Sequence, residues 1–184
     1  MKLMVISAMA RESSSCYILA RQIEEICKNH GVEVDFCTPA DPKLPINDGD
    51  IDWADPTILA WQERIATIHA HIWVSPEYHS AMTGGLKNMF DYLTKAPMRD
   101  DVVGLAALAG GGMAALNTLN GMTTVARSLG AWVAPQLTAL NSDDVKEGLD
   151  ERSLSRVENM CVTVIDAARR LAVEAPDGDD IPIS

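Results

Sequence analysis

Ser75-Pro76-Glu77-Tyr78-His79-Ser80-Ala81-Met82-Thr83-Gly84-Gly85-Leu86-Lys87-Asn88 follows the run His71-Ile72-Trp73-Val74 and leads into a stripe of Leu86, Met89, Phe90 and Leu93. A run that is apolar without alternation suits a strand buried on both faces. The stripe recurs at helical spacing, so the segment joins a strand to a helix through a loop. Strand, loop and helix in that order are the repeating unit of a parallel sheet.

The unit recurs on both sides. Leu3-Met4-Val5-Ile6 is another unbroken apolar run, followed by the polar Arg11-Glu12-Ser13-Ser14-Ser15 and by Leu19, Ile23 and Ile26 at helical spacing. Gly31, after Asn29-His30, stands where a helix should stop. Val32, Val34 and Phe36 alternate with Glu33 and Asp35, which predicts a half-exposed strand at or near a sheet edge. Residues 38–56, rich in Pro, Asp and Gly, read as a loop, and 57–70 as a helix with Ile58, Trp61, Ile65 and Ile68 on one face. Val102–Ala109 predicts a fourth strand, 113–129 a helix and Ala131–Ala134 a short fifth strand. Val157, Cys161, Val164, Ala168 and Leu171 mark a long last helix. Residues 1–175 thus read as a single domain, with 176–184 an acidic, frayed tail. The alternation predicts an α/β three-layer fold. Right-handed crossovers and five strands favour a parallel sheet of flavodoxin-like order 2-1-3-4-5.

The composition narrows the function. With 15 Lys and Arg against 26 Asp and Glu, the net charge of −11 argues against nucleic acid or an anionic membrane as partner. An anionic ligand must then be held by local positive features. The 47% hydrophobic content excludes a disordered chain. Cys16, Cys27, Cys37 and Cys161 lack the C-x-x-C spacing of zinc or thioredoxin-type sites and read as reduced thiols of a cytoplasmic protein. The longest nearly apolar stretch, 102–116, is too short to span a membrane. No metal cluster or catalytic triad stands out, and the acidic series Asp48, Asp50, Asp52 and Asp55 reads as a solvated loop.

Ligands of an open parallel sheet bind beyond the carboxyl ends of its strands. Arg11, Ser13, Ser14, Ser15 and Cys16 lie there, between the first strand and its helix. Unpaired N–H groups, serine hydroxyls and a guanidinium suit a phosphate monoester. An equally open reading has one serine capping the helix and Arg11 solvated. The loop has neither the P-loop nor the G-x-G-x-x-G pattern. Gly110, Gly111 and Gly112 end the fourth strand; they would let backbone approach a planar ring, or form a plain connector.

Pro76, Glu77, Tyr78, Gly84, Leu86, Lys87, Asn88, Asp91 and Leu93 fall in register with P-E-Y-N-G-S-x-P-G-x-L-K-N-x-x-D-W-L. Arg11, Ser14, Leu19 and Ala20 fit G-S-x-R-x-x-S-x-x-x-x-L-A. In these features the chain resembles the NADPH-dependent FMN reductases, a family that includes quinone, azo-dye and chromate reductases. Ala8 and Met9 replace the Gly-Ser of the first loop, and His79, Ser80 and Thr83 replace Asn, Gly and Pro of the second.

The resemblance implies FMN as cofactor, with Arg11 and Ser14 on its phosphate and Ser13 or Ser15 replacing the missing serine. It places Pro76, Glu77, Tyr78 and His79 along the ribityl chain and ring, largely through backbone atoms. NADPH or NADH would donate hydride to the flavin, which would then reduce a quinone, azo, metal-oxyanion or flavin acceptor in ping-pong fashion. It further implies a homodimer or homotetramer through the helix of Leu86 to Leu93, with Phe90 and Tyr92 exposed. Trp53, Trp61, Trp73 and Trp132 read as core. Two other readings are a flavodoxin-type electron carrier without NAD(P)H oxidase activity and a relative that has lost flavin. The first loop lacks the T-x-[ST]-G-[NT]-T pattern of flavodoxins.

Overall fold

The computed structural model describes residues 1–110 and 115–174. Its five-stranded parallel sheet has the order β2-β1-β3-β4-β5. The strands are β1 (Lys2–Ser7), β2 (Glu33–Cys37), β3 (Ala70–Pro76), β4 (Val102–Ala109) and β5 (Trp132–Asn141). Among the described residues six helices accompany them: α1 (Ser15–Asn29), α2 (Pro56–Ala66), α3 (Gly84–Asp91), α4 (Leu116–Ser128), α5 (Ser142–Glu147) and α6 (Glu151–Glu174). A short 3₁₀ turn spans Ala96–Met98. β1, β3 and β4 lie inside the sheet and are almost wholly buried, as their unbroken apolar runs require. β2, the alternating strand, is an edge.

Local chemistry fixes the helix ends. Ser14, Asp55, Thr83 and Asn141 cap α1, α2, α3 and α5 through their side chains. Gly31 takes φ +73° just after the end of α1, a conformation its missing Cβ permits. α1 and α6 pack side by side on the sheet. α6 crosses β4 so closely that a Cβ built on Gly104 would lie 2.7 Å from Cγ2 of Val164.

Several expectations are corrected. The fifth strand does not end at Ala134 but continues to Asn141. Its register with β4 jumps between Val103↔Val133 and Leu105↔Leu137. β5 is an edge strand, and the bulge accommodates Pro135, which has no N–H to give the ladder. The second helix ends at Ala66, because Ala70 already pairs with Leu3.

Phe90 and Tyr92 are not exposed. Both are buried within the monomer, Phe90 stacked on Trp73 with ring centroids 4.0 Å apart. Trp61 and Trp73 are core, whereas Trp53 and Trp132 are 49% and 60% exposed. Asn88 within α3 and Tyr92 just after it hold the long loop between β2 and α2 instead. The Asn88 amide accepts from Asn47 N (2.9 Å) and donates to Pro45 O (2.7 Å), and the Tyr92 hydroxyl donates to Pro45 O (3.1 Å). The tail assigned to 176–184 lies outside the described residues.

Candidate functional site

The carboxyl end of β1 turns into α1 across the edge of the sheet. Ala8 N donates to Val74 O (2.8 Å), and Ser7 Oγ donates to Met9 O (2.8 Å). Ser14 N closes the turn on Arg11 O (3.0 Å), and Ser14 Oγ accepts from Tyr17 N (3.2 Å). That cap satisfies the third amide of the helix. The amides of Ser15 and Cys16 precede it and find no acceptor among the described residues. They meet the positive end of the α1 dipole, an arrangement suited to an anion.

A pocket of about 160 Å³ opens at this point. Met9, Arg11, Ser14, Ser15 and Cys16 line it from the first turn, with Pro76 and Tyr78 from the loop after β3. Leu108 of β4 and Ser142 and Lys146 of α5 complete the wall. Arg11 and Lys146 are both cationic, and among the described residues no carboxylate lines the pocket. In a chain of net charge −11 this is a local reversal of the overall field.

Arg11, Ser14, Pro76 and Tyr78 therefore come together as expected from the sequence. Ser15 also lines the pocket, but its hydroxyl donates to Ser142 O (2.7 Å) and so ties α1 to α5. The Cys16 thiol is buried and donates to Val74 O (3.2 Å). Burial pushes it up to about 11, so it stays protonated near neutral pH and offers the pocket no thiolate. Ser13 is exposed and does not line the pocket. Gly110 is exposed with open space where a Cβ would stand, and Gly111 and Gly112 lie outside the described residues.

The second loop is built to hold Tyr78 over the pocket. Tyr78 N donates to Ala81 O (2.9 Å) and Ala81 N to Tyr78 O (3.1 Å), a tight turn around His79 and Ser80. Both central residues are left-handed, with φ +50° and +64°. That is a type I′ geometry, which favours Asn-Gly. His79 is exposed and does not line the pocket. The Tyr78 ring is 52% exposed, and its hydroxyl approaches Met9 Sδ at 3.9 Å.

Glu77 anchors the loop from the other side. Its N–H donates to Leu108 O (2.7 Å), and its carboxylate accepts from Thr118 N (3.1 Å) in the first turn of α4. α4 has no cap of its own, because Ala115 sits there in a left-handed conformation with φ +48°. The Glu77 side chain supplies this cap.

Sequence reasoning missed Ser142 and Lys146 because it missed α5, a helix of 6 residues. The available signal was Asn141 followed by Asp143, Asp144 and then Lys146, the charge order of a capped helix. Among the described residues no helix is long and apolar enough to cross a membrane.

Comparison with known proteins places this geometry. The sequence profile of the NADPH-dependent FMN reductases matches residues 1–144. An NADPH azoreductase of Bacillus sp. (strain OY1-2) is 29% identical over 149 residues, which is 80% of this chain and 81% of that protein. The NADPH-dependent FMN reductase ArsH of Acidithiobacillus ferrooxidans is 28% identical over 146 residues, 77% of this chain and 58% of that one. An FMN-dependent NADPH-azoreductase of Staphylococcus aureus is 28% identical over 154 residues, 79% of this chain and 80% of its own. Among solved structures, the flavoenzyme NAD(P)H:(acceptor) oxidoreductase FerB of Paracoccus denitrificans superposes with a TM-score of 0.75 at 16% identity, covering 92% of this chain and 97% of that one. A flavodoxin from the Archaea shares the fold at a TM-score of 0.64 and 12% identity, covering 92% and 99%.

Proposed function

Because this chain belongs to the NADPH-dependent FMN reductase family and is an FMN-dependent NAD(P)H oxidoreductase, we propose that the pocket at the start of α1 holds the FMN phosphate. The observation that carries the reading is a wall whose described residues include two cations and no carboxylate, set against helix N-terminal amides that find no acceptor among the described residues. The fit is chemical. A phosphate monoester brings negative charge and several acceptor oxygens. Arg11, the Ser14 hydroxyl and the amides of Ser15 and Cys16 supply donors. Ser13 and the Ser15 hydroxyl have no part in this assignment.

A pocket of about 160 Å³ suits the phosphate and part of the ribityl chain, which leaves the ring at the mouth. Pro76 and Tyr78 form the wall there, and the type I′ turn fixes where their backbone groups face. Glu77 fixes the loop against α4, and the buried, protonated Cys16 thiol keeps the pocket floor uncharged. Held there, FMN would supply the redox chemistry that links a nicotinamide hydride donor to a second acceptor. No side chain at the pocket is placed as an obligatory acid or base, so protons come from solvent.

The acceptor is a small, electron-poor molecule: a quinone, an azo compound, a metal oxyanion or a free flavin. Azo compounds gain support from the azoreductases among the relatives. The protein self-associates as a homodimer or homotetramer on the side of α3. The buried face of that helix is unavailable, but the neighbouring loop carries the exposed Ile46 and Trp53. Four buried free cysteines fit a reducing compartment, which supports a cytoplasmic location.

The test is an anaerobic absorption spectrum of the protein with FMN, before and after NADPH, followed by addition of an azo dye or quinone. Bleaching by NADPH and recovery on adding the acceptor are expected. A flavin that binds and stays oxidised under NADPH would contradict the reading.

A further inference from the structure

We propose that Lys146 is the second cation of the phosphate subsite and that, with Arg11, it makes the pocket select a phosphorylated flavin over one ending in a hydroxyl. The inference rests on the phosphate reading above and adds to it a residue 135 positions from Arg11 in sequence, 146 − 11. Lys146 stands one helical turn after Ser142 on α5, and both line the pocket. The Ser15 hydroxyl holds the carbonyl of Ser142 at 2.7 Å. The first turn of α1 and the helix bearing Lys146 are thus fixed to one another.

Position at the pocket, more than pairing, singles out this lysine. Lys2, Arg21, Lys28, Arg64, Lys87 and Arg169 each reach a carboxylate. Among the described residues the other nine Lys and Arg have none within ion-pair distance, and of those nine Arg11 and Lys146 are the two that line this pocket. Both face a pocket that no acidic side chain of the described residues lines.

A phosphate monoester approaches a double negative charge near neutral pH. One guanidinium and the partial charge of a helix end leave part of that charge uncompensated. An ammonium on a flexible stem meets it as a point charge. Riboflavin, with a hydroxyl in place of the phosphate, gains nothing from either cation.

The experiment titrates FMN and riboflavin against the wild type, Lys146→Gln, Lys146→Arg and Arg11→Ala at low and high salt, by quenching of flavin fluorescence. Lys95→Gln, at the opposite end of the sheet, controls for net charge. Lys146→Gln is expected to weaken FMN about tenfold at low salt, with a shallower salt dependence. It should leave riboflavin unchanged, and Lys146→Arg should retain FMN affinity. FMN affinity unchanged in Lys146→Gln but lost in Arg11→Ala overturns the role of Lys146 and leaves the phosphate reading standing. Unchanged FMN affinity in Arg11→Ala overturns the phosphate reading and this inference with it. Equal losses of FMN and riboflavin in Lys146→Gln also overturn the inference, because the lysine would then act on the fold or the ring.

Discussion

Replacing Ser80 by Gly should stabilise this protein even though it deletes a side chain. Ser80 sits at φ +64° and His79 at φ +50°, the two central positions of the type I′ turn after β3. Both are exposed, and neither side chain makes a hydrogen bond to the described residues, so the substitution removes no contact of that kind. A left-handed conformation costs an L-residue about 1–2 kcal/mol. Glycine avoids that strain but loses about 0.5–1 kcal/mol more backbone entropy on folding. The difference favours Gly by about 0.5–1 kcal/mol. His79→Asn adds a smaller gain, since Asn visits this region more readily. For a domain of this size the double variant should melt about 2–4 °C higher. The assay is thermal unfolding followed by near-UV circular dichroism, with Ser80→Ala as control. Alanine keeps the Cβ and should gain nothing. An unchanged or lowered melting temperature for Ser80→Gly would refute the left-handed turn and, with it, the account of how Tyr78 is held.

Gly104→Ala should cost about 1–3 kcal/mol in urea unfolding, because its Cβ would meet Val164 Cγ2 at 2.7 Å; Val164→Ala in the same chain should recover part of the loss. Full stability in the single variant would mean that α6 does not approach β4 so closely. Glu77→Ala should remove the cap of α4 at about 1 kcal/mol and speed hydrogen exchange at Thr118 N, while Glu77→Gln keeps an acceptor and most of the protection. Equal exchange in the wild type and Glu77→Ala would contradict that bond. Burial pushes the Asp35 carboxyl up, but Arg64 and Lys2 outweigh it and hold the group below the usual carboxylate range. A depressed folded value means that the stabilisation is complete above the unfolded value, about 3.9, and fades as pH falls through the folded one. The stability advantage of wild type over Asp35→Asn should therefore shrink on acidification from about pH 5; a difference constant down to about pH 2 would contradict the pairing.

The sheet was legible because its inner strands are unbroken apolar runs and the helices between them carry apolar stripes at helical spacing. Leu3–Ile6, His71–Val74 and Val102–Ala109 could be read without any partner. β5 was cut short at Ala134 because Pro135 and Gln136 interrupt the run, and only the pairing with β4 shows that a bulge absorbs them. α5 is too brief for periodicity to register. Phe90 and Tyr92 looked exposed because a helical stripe does not reveal how wide its buried face is; the stack on Trp73 decides that. That Arg11, Ser14, Pro76 and Tyr78 gather at one pocket was legible from local pattern and resemblance. Lys146 was not, because its place at the pocket depends on how α5 docks against α1, a tertiary fact carried by the Ser15 hydroxyl.

The central claim is that the amides at the start of α1, with Arg11, bind the phosphate of FMN. Its most direct measurement is FMN affinity in Arg11→Ala against the wild type, by fluorescence titration at low salt. A charge-assisted bond lost there should weaken binding by about 1.5–3 kcal/mol, roughly 10- to 150-fold. An affinity equal to that of the wild type would contradict the account.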